Sequence, residues 1–171
     1  VRGYTSKEIN VLTNSLGNLL PLSQSINSSF QNDPFHKKKS STGRKNRGYE
    51  NGSLSEREVA KYNDWNPTTI LERGLKLLDF FEKHWNVSFY QRNNIDTDET
   101  YHLNRTKAMT DILSLSFIND GRNIPDLFEI IPVEEIDVYS SYGSKIDLKS
   151  VSNNYYANLY YSKIQKKLKE N

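Results

Sequence analysis

The sequence predicts a mainly α fold with a small β element, and three observations carry that expectation. Ile70, Leu71, Leu75, Leu78, Phe81 and Trp85 recur at steps of three and four, the spacing of one apolar helix face. Helix-start signals occur ahead of apolar runs, with Ser53-Leu-Ser-Glu56 as a capping box and Asn66-Pro67 as a cap followed by a first-turn proline. Leu19-Leu20-Pro21-Leu22 is a short apolar stretch set between a turn and a serine-rich helix start, and it reads as the strand.

In chain order, residues 1 to 15 are polar and weakly patterned, with Ile9, Val11 and Leu12 as the apolar cluster. Gly17-Asn18 then makes a turn, since glycine accepts a positive φ and asparagine tolerates one. Pro21 lacks an N–H and assigns the strand over 19–22 to an edge or an end. Ser23 or Ser25 caps a following helix that ends by Asn32-Asp33, where Gln31 and Asn32 read as helix-end residues. Pro34 opens another short helix carrying Phe35 and a lysine run. Ser40 to Ser53 is a loop rich in Ser, Gly, Asn and cations. One of two capping boxes, at Ser53 or Ser55, starts a helix through Val59 and Tyr62 to about Trp65, and the long amphipathic helix follows. Gln91 to Thr100 reads as an exposed linker. Beyond it the pattern predicts a helix through Met109, Ile112, Leu113 and Phe117, a strand over Leu127 to Val133, and a C-terminal helix with Tyr156, Tyr160, Ile164 and Leu168 on one face. There is no internal repeat. The expected division is residues 1–90 as one domain and 91–171 as a helical or mixed extension.

Composition limits the function classes. A hydrophobic content of 35% and a mean hydropathy of −0.77 are low for 171 residues, offset by 11 Tyr and 7 Phe that bury apolar area while keeping a polar handle. No run approaches the ~18 apolar residues of a membrane helix. Zero cysteines exclude disulfides and thiolate metal sites and fit a reducing cytoplasm. The net charge of +2 conceals an asymmetry. Lys37, Lys38, Lys39, Arg44, Lys45 and Arg47 follow one another with no acid between Pro34 and Tyr49, whereas residues 120–147 are strongly acidic. A polyanion-facing surface is therefore expected at the front of the chain alone.

The amides carry the chemistry. Asn18 sits in the turn and Asn27 nine residues later in the helix after it. A ββα-metal nuclease needs that arrangement: a turn asparagine that braces the loop, and a residue on the facing helix that presents an oxygen to a divalent metal. An amide oxygen suits a hard cation such as Mg²⁺ or Mn²⁺. Taken alone, Asn18 is a turn former. Together, Leu16-Gly17-Asn18-Leu19-Leu20, Asn27 and Asn32-x-Pro34-Phe35-x-x-Lys38-Lys39 resemble the C-terminal HNH nuclease domain of the GmrSD family of type IV restriction enzymes. Tyr49, the Trp65…Ile70-x-x-Arg73 segment and Trp85 extend the resemblance, which covers about residues 10 to 86.

The resemblance implies a partial ββα-metal (HNH) core followed by a helical bundle, with Asn18 as the catalytic loop brace and Asn27 as the metal ligand. Mg²⁺ or Mn²⁺ is the implied cofactor and double-stranded DNA the implied partner, with the six cations from Lys37 to Arg47 facing its phosphates. It also implies a restriction or anti-phage defence role in the cytoplasm, alongside the N-terminal remainder of the same protein or a partner subunit. One feature of the family is missing: its His-Ile-x-Pro motif supplies the general base, and His36, His84 and His102 all follow Asn18. Either the histidine lies upstream of Val1 in a longer protein or the site is degenerate, and this chain is expected not to cut DNA by itself. The competing readings are a catalytically inactive DNA-binding module that keeps the ββα shell, and an interaction domain whose acidic, Tyr-rich second half docks a partner.

Overall fold

A computed structural model describes residues 3–40, 47–114, 127–131, 138–139 and 145–146. Helix α1 (Ser6–Asn14) opens the chain, started by a capping box in which Thr5 and Glu8 exchange side-chain and backbone hydrogen bonds. This helix occupies the stretch read from the sequence as polar and weakly patterned, and it buries Val11 and Leu12. A single 3₁₀ turn, Leu16–Asn18, follows. Helices α2 (Gln24–Phe30, capped by Ser23) and α3 (Phe35–Lys39) lead to a second 3₁₀ turn at Tyr49–Asn51. Then come α4 (Leu54–Ala60), α5 (Pro67–Trp85), α6 (Asp98–Ser114) and the one-turn α7 (Leu127–Ile130).

The capping signals fall where the sequence puts them. Ser53 and Glu56 form the box that starts α4, and Asn66 with Pro67 starts α5, which runs for 19 residues. Two helix limits differ: α4 stops at Ala60 rather than near Trp65, and α6 begins inside the expected linker.

The expected β element is corrected. Residues 19–22 form no strand, and no ββα core forms among the described residues. Two local causes act there. Pro21 offers no donor, and the Leu19 carbonyl that a ladder would use already accepts from Arg73. Leu127–Ile130, expected as a strand, is helical. The described strands are two-residue pieces, β1 (Val138–Tyr139) and β2 (Lys145–Ile146), paired antiparallel with Val138 opposite Ile146. They lie far along the chain from the candidate site. The expected C-terminal helix around Tyr156 to Leu168 lies outside the described residues.

Among the described residues the apolar side chains gather into two hydrophobic cores. The larger joins Val11 and Leu12 of α1, Leu71, Leu75 and Leu78 of α5, Leu103, Met109 and Leu113 of α6, and Leu127 and Ile131. It therefore runs across residue 90, the domain boundary expected from the sequence. The smaller gathers Phe30, Tyr49, Val59 and Ala60, covered by Leu20, Leu22, Ile26, Phe35 and Trp65. Helix α6 has few apolar contacts to offer, and its buried hydroxyls are satisfied within the helix: Thr110 donates to the Thr106 carbonyl and Ser114 to that of Thr110, each at 2.8 Å. Ser114 Oγ also accepts the Leu127 N–H at 2.7 Å, which fastens α7 to α6.

Candidate functional site

The 3₁₀ turn that carries Asn18 lies directly against α5. Gly17 is there for closeness, because a Cβ on it would collide with the backbone carbonyl of Ile70 and reach 2.9 Å from the Gly74 nitrogen. Its φ is not positive, so the turn uses the absence of a side chain rather than the backbone freedom expected from the sequence.

Two side chains from the α5 region then hold the turn. Arg73 Nη1 donates to the Gly17 carbonyl at 2.7 Å and the Leu19 carbonyl at 2.9 Å, with a longer 3.4 Å contact to Leu16. Burial pushes the Arg73 guanidinium below its ordinary value, opposed in part by the nearby Tyr62 hydroxyl. Trp65 Nε1 donates to Asn18 Oδ1 at 2.8 Å, and Asn18 Nδ2 donates to the Thr13 carbonyl at 3.1 Å. Both ends of the Asn18 amide are thus committed, one to the end of α1 and one to the approach to α5. The motif residues Gly17, Asn18, Trp65, Ile70 and Arg73, scattered over 57 positions of sequence, meet in one contact.

Below the turn opens a cleft of about 470 Å³. Its apolar wall is the second core, with Leu20, Phe30, Phe35 and Trp65, and Phe35 stacks on Trp65 with ring centroids 5.4 Å apart. Asn18, Asn27, Asp33 and Lys38 supply the polar lining. Asn27 is exposed on α2, and its side chain makes no hydrogen bond among the described residues, so its amide oxygen is free toward solvent. Asp33, which the sequence did not single out, brings a carboxylate to the same cleft.

Among the described residues no group of three or more His, Cys, Asp or Glu side chains is arranged to hold a metal. The Asn27 amide and the Asp33 carboxylate are both hard oxygen donors. Such a pair suits a hydrated Mg²⁺ or Mn²⁺, which accepts one or two protein oxygens and keeps its waters. None of the three histidines lines the cleft. His36 is exposed on α3, His84 stacks on Phe80 at 3.8 Å, and His102 packs against Tyr101.

The expected phosphate-facing cations separate into distinct settings. Lys38 lines the cleft and donates to the Gln31 carbonyl at 3.1 Å, closing the end of α2 where Gln31 adopts a φ of 40°. Lys39 donates to the Tyr62 carbonyl at 3.0 Å, and Lys37 is exposed. Both Lys38 and Lys39 retain two further N–H groups. Arg47 is committed elsewhere: its guanidinium forms a two-point pair with Glu56 at 2.8 and 3.0 Å, and Glu56 is 2% exposed. Its charge is compensated locally, which makes it an anchor for the end of the basic segment. Arg44 and Lys45 lie outside the described residues. The pairing of Arg47 with Glu56 has no reliable sequence signal, because Glu56 is already accounted for by its capping box.

The family model described as the C-terminal domain of GmrSD restriction endonucleases matches residues 2–80. No curated protein and no solved structure matches the chain.

Proposed function

From the match of residues 2–80 to the C-terminal domain of the GmrSD restriction endonucleases, we propose that this chain is the C-terminal part of a metal-dependent HNH DNA endonuclease that hydrolyses foreign or modified DNA in a defence system. The observation that carries the reading is the grip of Trp65 and Arg73 on the Asn18 turn, above a cleft into which Asn27 turns a free amide. Asn18 acts as the brace, with its amide spent on fixing the turn. Asn27, with Asp33 lining the same cleft, would hold Mg²⁺ or Mn²⁺. When bound, that ion supplies charge stabilisation at the scissile phosphate. Lys38 at the cleft and Lys37 on the exposed face of α3 attract and position the phosphate backbone without reading sequence. The general base is a histidine other than the three in this chain, supplied by the remainder of the protein or by a partner subunit. No helix among the described residues is long and apolar enough to cross a membrane.

The second reading is a DNA-binding module without catalysis, and the absence of any histidine from the cleft favours it. Plasmid cleavage by the full-length protein with Mg²⁺ or Mn²⁺ separates the two. Asn27→Ala should lower cutting by about 100-fold or more while DNA affinity in metal-free buffer stays unchanged. Undiminished cutting would refute the ligand assignment. A full-length protein that binds DNA and cuts none would establish the second reading.

A further inference from the structure

Two cationic side chains, Lys39 and Lys76, converge on Tyr62, and neither has a carboxylate partner among the described residues. Lys39 of α3 donates to the Tyr62 carbonyl at 3.0 Å, and Lys76 of α5 sits over the Tyr62 ring with its nitrogen 5.6 Å from the centroid. Arg73, one turn before Lys76, spends its hydrogen bonds on neutral carbonyls, so its charge also remains uncompensated. Five other described cations are matched with acids: Lys61 with Glu58, Lys83 with Asp79, Arg47 with Glu56, Arg92 with Asp98, and Arg105 with Asp79 and Glu82. Asp64 and Glu72, the acids nearest in sequence to Tyr62 and Arg73, form no ion pair. A lysine near the end of α4 is favoured by the helix dipole, which accounts for Lys39. It does not account for Lys76, which is exposed in mid-helix.

The cluster is continuous with the cleft. The Tyr62 ring meets Trp65 edge to face at 5.5 Å, and Trp65 lines the cleft and stacks on Phe35. An anion leaving the cleft past Trp65 would next meet Tyr62 and the two lysines. We propose that Lys76 and Lys39, brought together on Tyr62, form a phosphate-contacting surface that carries the double-stranded DNA backbone outward from the cleft along the junction of α4 and α5. Uncompensated cations of this kind suit a polyanion whose binding releases counterions. The inference rests on the DNA reading above and extends it from Lys39, in the basic run of residues 37–47, to Lys76 outside that run.

The test is binding of the full-length protein to a short DNA duplex by fluorescence anisotropy, between about 50 and 200 mM salt. Lys76→Gln should weaken binding and reduce the slope of log affinity against log salt by about 0.9, the loss of one phosphate contact. Lys83→Gln removes the same charge from the same helix, at a lysine already paired with Asp79, and should leave the slope as in the wild type. Thermal melts of both variants check that the fold is kept. A Lys76→Gln slope equal to wild type, or an equal change in Lys83→Gln, overturns the proposal while the DNA reading stands. Wild-type protein with no affinity for the duplex overturns the DNA reading and this surface with it.

Discussion

Asn18 and Trp65 are 47 residues apart in sequence and 2.8 Å apart at their side chains. A hydrogen bond between neutral groups at a half-buried site contributes about 1 kcal/mol. Trp65→Phe keeps most of the ring that stacks on Phe35 and removes the donor, whereas Asn18→Ala removes both bonds of the brace. In urea unfolding the two changes should be non-additive, with a coupling of about 1 kcal/mol in a double-mutant cycle. Additive effects would mean that the bond contributes nothing. Residue types and spacing alone made the turn and its asparagine legible, because turn chemistry is local. The partners were not. Nothing in local pattern announces that Arg73 will take three carbonyls, or that Gly17 is needed for closeness to Ile70, since both depend on how α5 is placed. The basic run was read as a single surface, yet its members divide between cleft, helix end and ion pair according to contacts made far along the chain.

Helices were legible where apolar period and caps agreed, as in α5, and less so where polar residues do the packing. Helix α6 buries Arg105, Thr106, Thr110 and Ser114 beside Leu103, Met109 and Leu113, so its apolar stripe is thin. Its register is fixed instead by Arg105, which meets Asp79 at 2.8 Å and also pairs with Glu82 of α5. Helix α1 was missed although Thr5 and Glu8 stand at capping-box spacing, because the sequence around them is polar. The same α5–α6 contact sets a pH response. Burial, and then the Arg105 charge, hold the His102 imidazole below its ordinary pKa of 6.5. A group whose folded pKa is depressed leaves stability intact above 6.5, and stability falls as pH drops from there toward the lower folded value. Melting temperature should therefore decline with acidification in that window, and His102→Gln should flatten the decline. An unchanged slope in the variant would remove His102 as its source.

At the scale of the molecule, the main core takes residues from both sides of position 90, because Leu71, Leu75 and Leu78 of α5 are covered by α6 and by Leu127 and Ile131. A fragment of residues 1–90 would bare that apolar face to water. It should show no cooperative melt and should bind a hydrophobic dye, and a sharp melt of the fragment would show that α6 is dispensable. Composition had made the two halves look like separate units, since charge changes sign between them while the buried leucines that join them are few. The gripped turn adds a consequence of its own. Leu16–Asn18 is fastened to α5, which contributes to the large core, and Asn18 also lines the cleft built on the small one, so the cleft draws on both cores. An ion or oligonucleotide that binds the folded cleft and not the unfolded chain should raise the melting temperature, by the equivalent of about 2.7 kcal/mol at 100 times its dissociation constant. Occupants of this cleft can thus be found by heating the protein, with no assay of activity.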